Sequence, residues 1–127
     1  MRVLVVDDHR NTRESLALGL TLLGYEPDVA ADPVEALSRL EERSYHWLIC
    51  DVRMPGTNGV EFACTARSRQ ADIGVILMTA YDVSHAERQI IEALQADLVI
   101  KPVTAAALAR LCGARDTSPI DPKELQP

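Results

Sequence analysis

Two adjacent carboxylates, Asp7 and Asp8, a third at Asp51, a hydroxyl at Thr79 and an ammonium at Lys101 are the side chains of this sequence best suited to phosphoryl chemistry. Each stands at the end of a short apolar run. Three carboxylates brought together would repel one another and raise each other's pKa, so the grouping calls for a cation. Oxygen ligands with room for water suit Mg²⁺ or Mn²⁺. A carboxylate can also act as a nucleophile and form an aspartyl phosphate. Phosphoryl transfer asks little acid–base help of a protein; it asks for positioning and for positive charge on the equatorial oxygens of the moving group. A metal and Lys101 would supply that charge, and the Thr79 hydroxyl would donate to a phosphoryl oxygen.

The elements that must position these groups follow from the periodicity. Residues 3–6 are apolar and largely β-branched, which predicts a strand buried on both faces. Leu16, Leu20 and Leu23 then fall at i, i+4 and i+7, with Arg10, Arg13 and Glu14 on the other side, so a helix runs from about 10 to 23 and stops at Gly24. A weaker strand over 28–31 leads into Asp32-Pro33, a cap followed by proline at the first helical position. The helix after it, to about 43, buries Ala36, Leu37 and Leu40 and exposes a Glu35/Arg39 pair.

A third strand, 47–50, runs into Asp51. Met54-Pro55-Gly56 forms a loop, and Asn58 caps a helix carrying Val60, Phe62, Ala63 and Ala66. A fourth strand over 73–78 ends at Thr79. Ser84 and Glu87 have capping-box spacing and open a fourth helix with Ala86, Ile90, Ile91 and Leu94. A fifth strand, 98–100, ends at Lys101-Pro102 and is followed by a helix over 104–112. The remainder, 113–127, contains Pro119, Pro122 and Pro127 and reads as a flexible tail or linker after a domain spanning 1–112.

Five strands alternating with five helices predict an α/β domain, a doubly wound parallel sheet with helices on both faces. Ligands in such sheets bind beyond the carboxyl ends of the strands, where the strand order reverses. The chain's 127 residues, 47% of them apolar, suffice for one core. Its formal charge of -6 offers no general basic surface, so nucleic-acid binding by this segment is disfavoured. Cys50, Cys64 and Cys112 are odd in number and lack metal-site spacing; they read as buried thiols in a reducing compartment. His9, His46 and His85 read as surface residues, with His9 close enough to the acid pair to modulate it. No apolar run approaches the roughly 20 residues of a membrane helix and the start lacks the form of a signal peptide, so a cytoplasmic location is expected.

The motifs VLVVDD at 3–8, LICDVRMPGTNG at 48–59, LMTAY at 77–81 and IKP at 100–102 together resemble the receiver domain of two-component response regulators, over about residues 1–112. The resemblance implies the flavodoxin-like, CheY-like strand order 2-1-3-4-5. It further implies that Asp51 is the phosphoacceptor, with a phosphohistidine on a sensor histidine kinase or histidine phosphotransfer protein as donor. Asp8 and Asp51 would ligate Mg²⁺ directly with the backbone carbonyl of Arg53, and Asp7 would act largely through water. Thr79 would turn toward the phosphoryl group, Lys101 would pair with it, and the Lys101–Pro102 bond would be cis. A surface on the fourth helix, fifth strand and fifth helix would be read by a downstream effector or output domain.

Two positions depart from the family pattern: Leu98 stands where receivers usually carry Tyr or Phe, and Leu94 where they often have a helix-ending glycine. Arg53 and Tyr81, two residues after Asp51 and Thr79, are bulky and poor general bases, which predicts a long-lived phosphoryl group. Such a switch is an enzyme only toward itself, in self-phosphorylation and autodephosphorylation. The alternative is a Mg²⁺-dependent phosphohydrolase with an aspartate nucleophile. Enzymes of the haloacid dehalogenase type place that nucleophile on the first strand with a second Asp two residues on, a spacing Asp7-Asp8 lacks. A flavin-binding protein on the same fold would need a phosphate loop rich in Ser, Thr and Gly after the first strand, and none is present.

Overall fold

A strand buried on both faces needs apolar side chains at every position, and Val3, Leu4, Val5 and Val6 are all completely buried. In the computed structural model, which describes residues 1–114, they belong to β1 (Arg2–Val6). The other sheet strands are β2 (Glu26–Ala30), β3 (Trp47–Asp51), β4 (Gly74–Thr79) and β5 (Asp97–Ile100). All four pairings are parallel, in the order β2-β1-β3-β4-β5. This is the expected doubly wound arrangement, and the order reverses between β1 and β3.

Strand alternation divides the core in two. Leu4, Val6, Leu48, Cys50 and Leu77 face α2 (Pro33–Glu42), α3 (Gly59–Arg69) and α4 (His85–Ala93). Val3, Val5, Ile49, Ile76 and Met78 face α1 (Arg10–Leu22) and α5 (Ala105–Ala114), whose Leu16, Leu20 and Leu108 fill that side. The caps form as the spacing predicts. Asp32 accepts from Glu35 N at 2.9 Å and Asn58 from Val60 N at 2.8 Å, while Ser84 and Glu87 close a reciprocal box. Such caps each contribute about 1 kcal/mol.

Several boundaries differ from the sequence reading for local reasons. β2 begins at Glu26 because the edge of β1 extends the ladder, Arg2 pairing with Glu26; Pro27 is tolerated there because β2 lies at the sheet edge. The loop after β3 carries a small antiparallel pairing of Arg53–Met54 with Thr57–Asn58, turned by Gly56 at φ 72°. Beyond α4 the left-handed position falls on Gln95, at φ 53°, so the helix closes without a glycine. α5 continues two residues past the expected end, and the proline-containing segment from residue 115 lies outside the described residues.

Cys64 corrects the reading of the cysteines. Cys50 and Cys112 are buried but Cys64 is exposed, because Phe62, Ala63 and Ala66 occupy the inner stripe of α3 and turn residue 64 outward. Burial raises both inner thiols above their ordinary pKa, that of Cys112 to about 11. His9, His46 and His85 are exposed, as expected. Among the described residues no helix is long and apolar enough to cross a membrane.

Candidate functional site

The carboxyl ends of β1, β3, β4 and β5 bring together the residues singled out in the sequence. Lys101, just past β5, places Nζ 2.9 Å from Asp7 Oδ2 and 2.9 Å from Asp51 Oδ2. Both acids are almost wholly buried. Burial pulls the Lys101 ammonium toward neutrality, but hydrogen bonds and charge from Asp51 and Asp7 outweigh it and leave the pKa above that of an ordinary lysine. The second oxygen of each acid is held by its own loop: Asp7 Oδ1 accepts from His9 N at 2.8 Å and Asp51 Oδ1 from Arg53 N at 3.1 Å. The Lys101–Pro102 bond is cis.

Asp8 lies beside this pair. Its Oδ1 is buried and receives no hydrogen bond, while His9 Nδ1 stands 3.3 Å from it and 3.3 Å from Asp7 Oδ1. Asp7, Asp8, His9 and Asp51 each offer a ligand atom within 4.8 Å of the others. A buried carboxylate oxygen without a donor, next to two further carboxylates, is costly unless a cation satisfies it. The donor set therefore fits a divalent metal ion. The sequence reading did not count His9 in that set, since a histidine next to an acid pair has no recognised ligand spacing; its adjacency to Asp8 was the only signal.

Thr79 is completely buried, and its hydroxyl donates to Tyr81 O at 2.7 Å and accepts from Tyr81 N at 3.2 Å. It is thus engaged with its own loop. Tyr81 is exposed and, with Asp51, Lys101, His9 and Arg53, lines a cavity of about 300 Å³ over the acid cluster. Leu98 is half-buried against the core side that faces α2, α3 and α4.

The guanidinium of Arg53 donates to Glu87 of α4 through both Nη atoms, at 2.8 and 2.9 Å. Glu87 also accepts from Asn58 Nδ2 at 2.9 Å and from Ser84 N at 2.8 Å. Sequence reasoning gave Glu87 a capping role alone and missed this link, because nothing in a sequence pairs residue 53 with residue 87. Hydrogen bonds from Arg53, the Ser84 backbone and Asn58 hold the Glu87 carboxyl well below its ordinary 4.5, at about 2, against the opposing effect of burial. A depressed folded-state pKa stabilises the fold fully above about pH 4.5, and that contribution disappears as the pH falls toward 2. Glu87→Gln is expected to cost about 1–2 kcal/mol at neutral pH, discounted because Arg53 is half-exposed and solvent screens the pair. Urea unfolding at pH 7 and at pH 2.5 checks this: the difference between parent and variant should shrink markedly at the lower pH.

A family model described as the response regulator receiver domain matches residues 3–112. Response regulator MprA of Mycobacterium avium (strain 104) is 42% identical over 82 residues, covering 65% of this chain and 36% of that protein. The matched segment therefore spans about a third of the length of that relative. Among solved structures, a receiver domain protein of Methanospirillum hungatei matches with a TM-score of 0.81 at 27% identity, covering 90% of this chain and 91% of its own. TrrA of Thermotoga maritima, solved in complex with Mg²⁺–BeF, matches with a TM-score of 0.71 at 33% identity, covering 90% of this chain and 96% of its own. With the acid cluster and lysine at the strand ends of a 2-1-3-4-5 sheet, this chain belongs to the receiver domain family of two-component response regulators.

Proposed function

We propose that the domain accepts a phosphoryl group on Asp51 from a phosphohistidine of a sensor histidine kinase or histidine phosphotransfer protein. The observation that carries this is the position of Asp51: a buried carboxylate at the end of β3, held by Lys101 and opening onto a cavity. An Asp51 oxygen forms the new P–O bond while the donor's P–N bond breaks and its imidazole keeps the electron pair. Lys101 neutralises charge on the acceptor and the incoming group. Thr79 reaches a phosphoryl oxygen by giving up its hydrogen bond to Tyr81 O.

Asp8, Asp51 and the Arg53 backbone carbonyl, with Asp7 through water, would hold Mg²⁺. Mn²⁺, which takes the same carboxylate, carbonyl and water oxygens, would also fit. When bound, the metal supplies positive charge to the phosphoryl oxygens. That TrrA was solved in complex with Mg²⁺–BeF supports a metal ion in such a domain. Arg53 and Tyr81 border the cavity without providing a base, which favours slow hydrolysis. The reading implies a cytoplasmic domain whose phosphorylated form is recognised by an effector or an output domain. The phosphohydrolase alternative gains no support from the fold or the relatives.

Acetyl phosphate tests the reading. Intact-mass measurement should show a single phosphoryl addition in Mg²⁺ and none without it. Asp8→Ala should abolish Mg²⁺ binding measured by calorimetry. Without metal, that variant should be no less stable than the parent, since removing one of three crowded carboxylates relieves repulsion. Unchanged metal affinity would remove Asp8 from the ligand set.

A further inference from the structure

We infer that Glu87 is a positioning residue of the phosphoacceptor site: it holds the Arg53 guanidinium away from Asp51, and a phosphoryl group on Asp51 draws Arg53 off and unlatches the first turn of α4. The inference rests on Asp51 being the phosphoacceptor. Arg53 is tied to both ends of the link, since its backbone N–H binds Asp51 Oδ1 at 3.1 Å while its guanidinium grips Glu87. It also borders the same cavity as Asp51, Lys101 and Tyr81. A guanidinium fork fits a carboxylate and a phosphoryl group with the same bidentate geometry. The phosphoryl group carries about −1.5 to −2 charges against the single charge of Glu87, so it competes strongly for one nearby arginine.

The exchange is structurally simple. Arg53 is half-exposed, so its side chain moves without disturbing the core. Glu87 keeps Asn58 Nδ2 and Ser84 N as donors after Arg53 leaves, so its carboxylate is not stranded. What is lost is the two-bond arginine fork between α4 and the loop after β3. Asn58, which caps α3 through Val60 N, becomes the remaining side-chain link to Glu87 from that loop. With Leu98 packed into the core side near α4, the position of α4 is coupled to Asp51 through an arginine rather than through an aromatic ring.

The test combines Glu87→Gln, Arg53→Ala and the double variant in the full chain, labelled with sub-saturating acetyl phosphate in Mg²⁺. Glu87→Gln should raise the phosphorylated fraction relative to the unphosphorylated one by about tenfold, because the freed arginine now serves the phosphoryl group. In the Arg53→Ala background the same substitution should change nothing. Hydrogen exchange over residues 84–93 should quicken in Glu87→Gln without phosphate, and in the parent only once phosphorylated. Arg53→Lys, which leaves Glu87 and its cap in place, should also loosen that segment, because an ammonium cannot form the fork. Equal labelling of parent and Glu87→Gln, or an equal gain in both backgrounds, overturns the latch while leaving Asp51 as acceptor. Absence of label from the parent overturns the acceptor assignment and the latch with it.

Discussion

Asp51→Asn is expected to take up no phosphoryl group at all from acetyl phosphate in Mg²⁺, while parent protein acquires one. Asparagine keeps the size of the side chain and an oxygen that can accept from Arg53 N, but it removes the anionic oxygen that attacks phosphorus. The other two acids cannot substitute for it. Asp7 is fully buried and bound through both oxygens, by Lys101 and by His9 N. Asp8 extends beside His9, and Lys101 makes no contact with it among the hydrogen bonds and ion pairs of the cluster. The fold should survive, because Lys101 retains Asp7 and a repelling carboxylate is gone. Intact-mass measurement with a parallel urea titration separates the two effects. A labelled Asp51→Asn would mean that another side chain is the acceptor.

Gly59→Ala should be the most damaging single substitution to stability near the site. A Cβ at Gly59 would lie 1.9 Å from the carbonyl oxygen of Asp51 and 3.0 Å from Val52 Cα. Both neighbours are backbone of the segment that presents the acceptor, so neither can rotate aside. The glycine also closes the loop, its N–H donating to Val52 O at 2.8 Å. Relieving the overlap means moving α3 off β3, at a cost of about 3 kcal/mol or more. Chemical denaturation should show that loss. Gly113→Ala, where a Cβ meets nothing within 4 Å, is the control and should be close to neutral. If both behave alike, the close approach of α3 to β3 is not what requires glycine at 59.

Much of this molecule was legible because its sheet is buried on both faces. Residues 3–6, 47–50 and 74–78 carry apolar side chains almost without interruption, and each run ends where the chain emerges at a polar residue. Caps are equally local: Asp32, Asn58 and Ser84 act within three residues of themselves. The acid–lysine cluster followed from fold logic, which brings strand ends to one edge whatever their distance in sequence. What escaped is side-chain partnership between loops. The Arg53–Glu87 fork depends on where α4 docks, and Thr79 hydrogen-bonds its own loop because that loop curls back on it. Cys64 was misplaced for a related reason: a small, weakly polar side chain says little about which side of a helix it occupies when its neighbours on both sides are small.

The distribution of thiols has a practical consequence. At neutral pH the inner two sulfurs are sealed in the two halves of the core and kept protonated, whereas Cys64 stands in water. A maleimide dye should therefore mark the native protein once, on α3, and reach the other two sites only when the chain opens. Mass spectrometry of pulse-labelled samples would then count open molecules directly, with singly tagged species reporting the folded population and triply tagged species the unfolded one. The protein carries its own unfolding clock, which needs no engineered reporter and can be read with and without a phosphoryl donor.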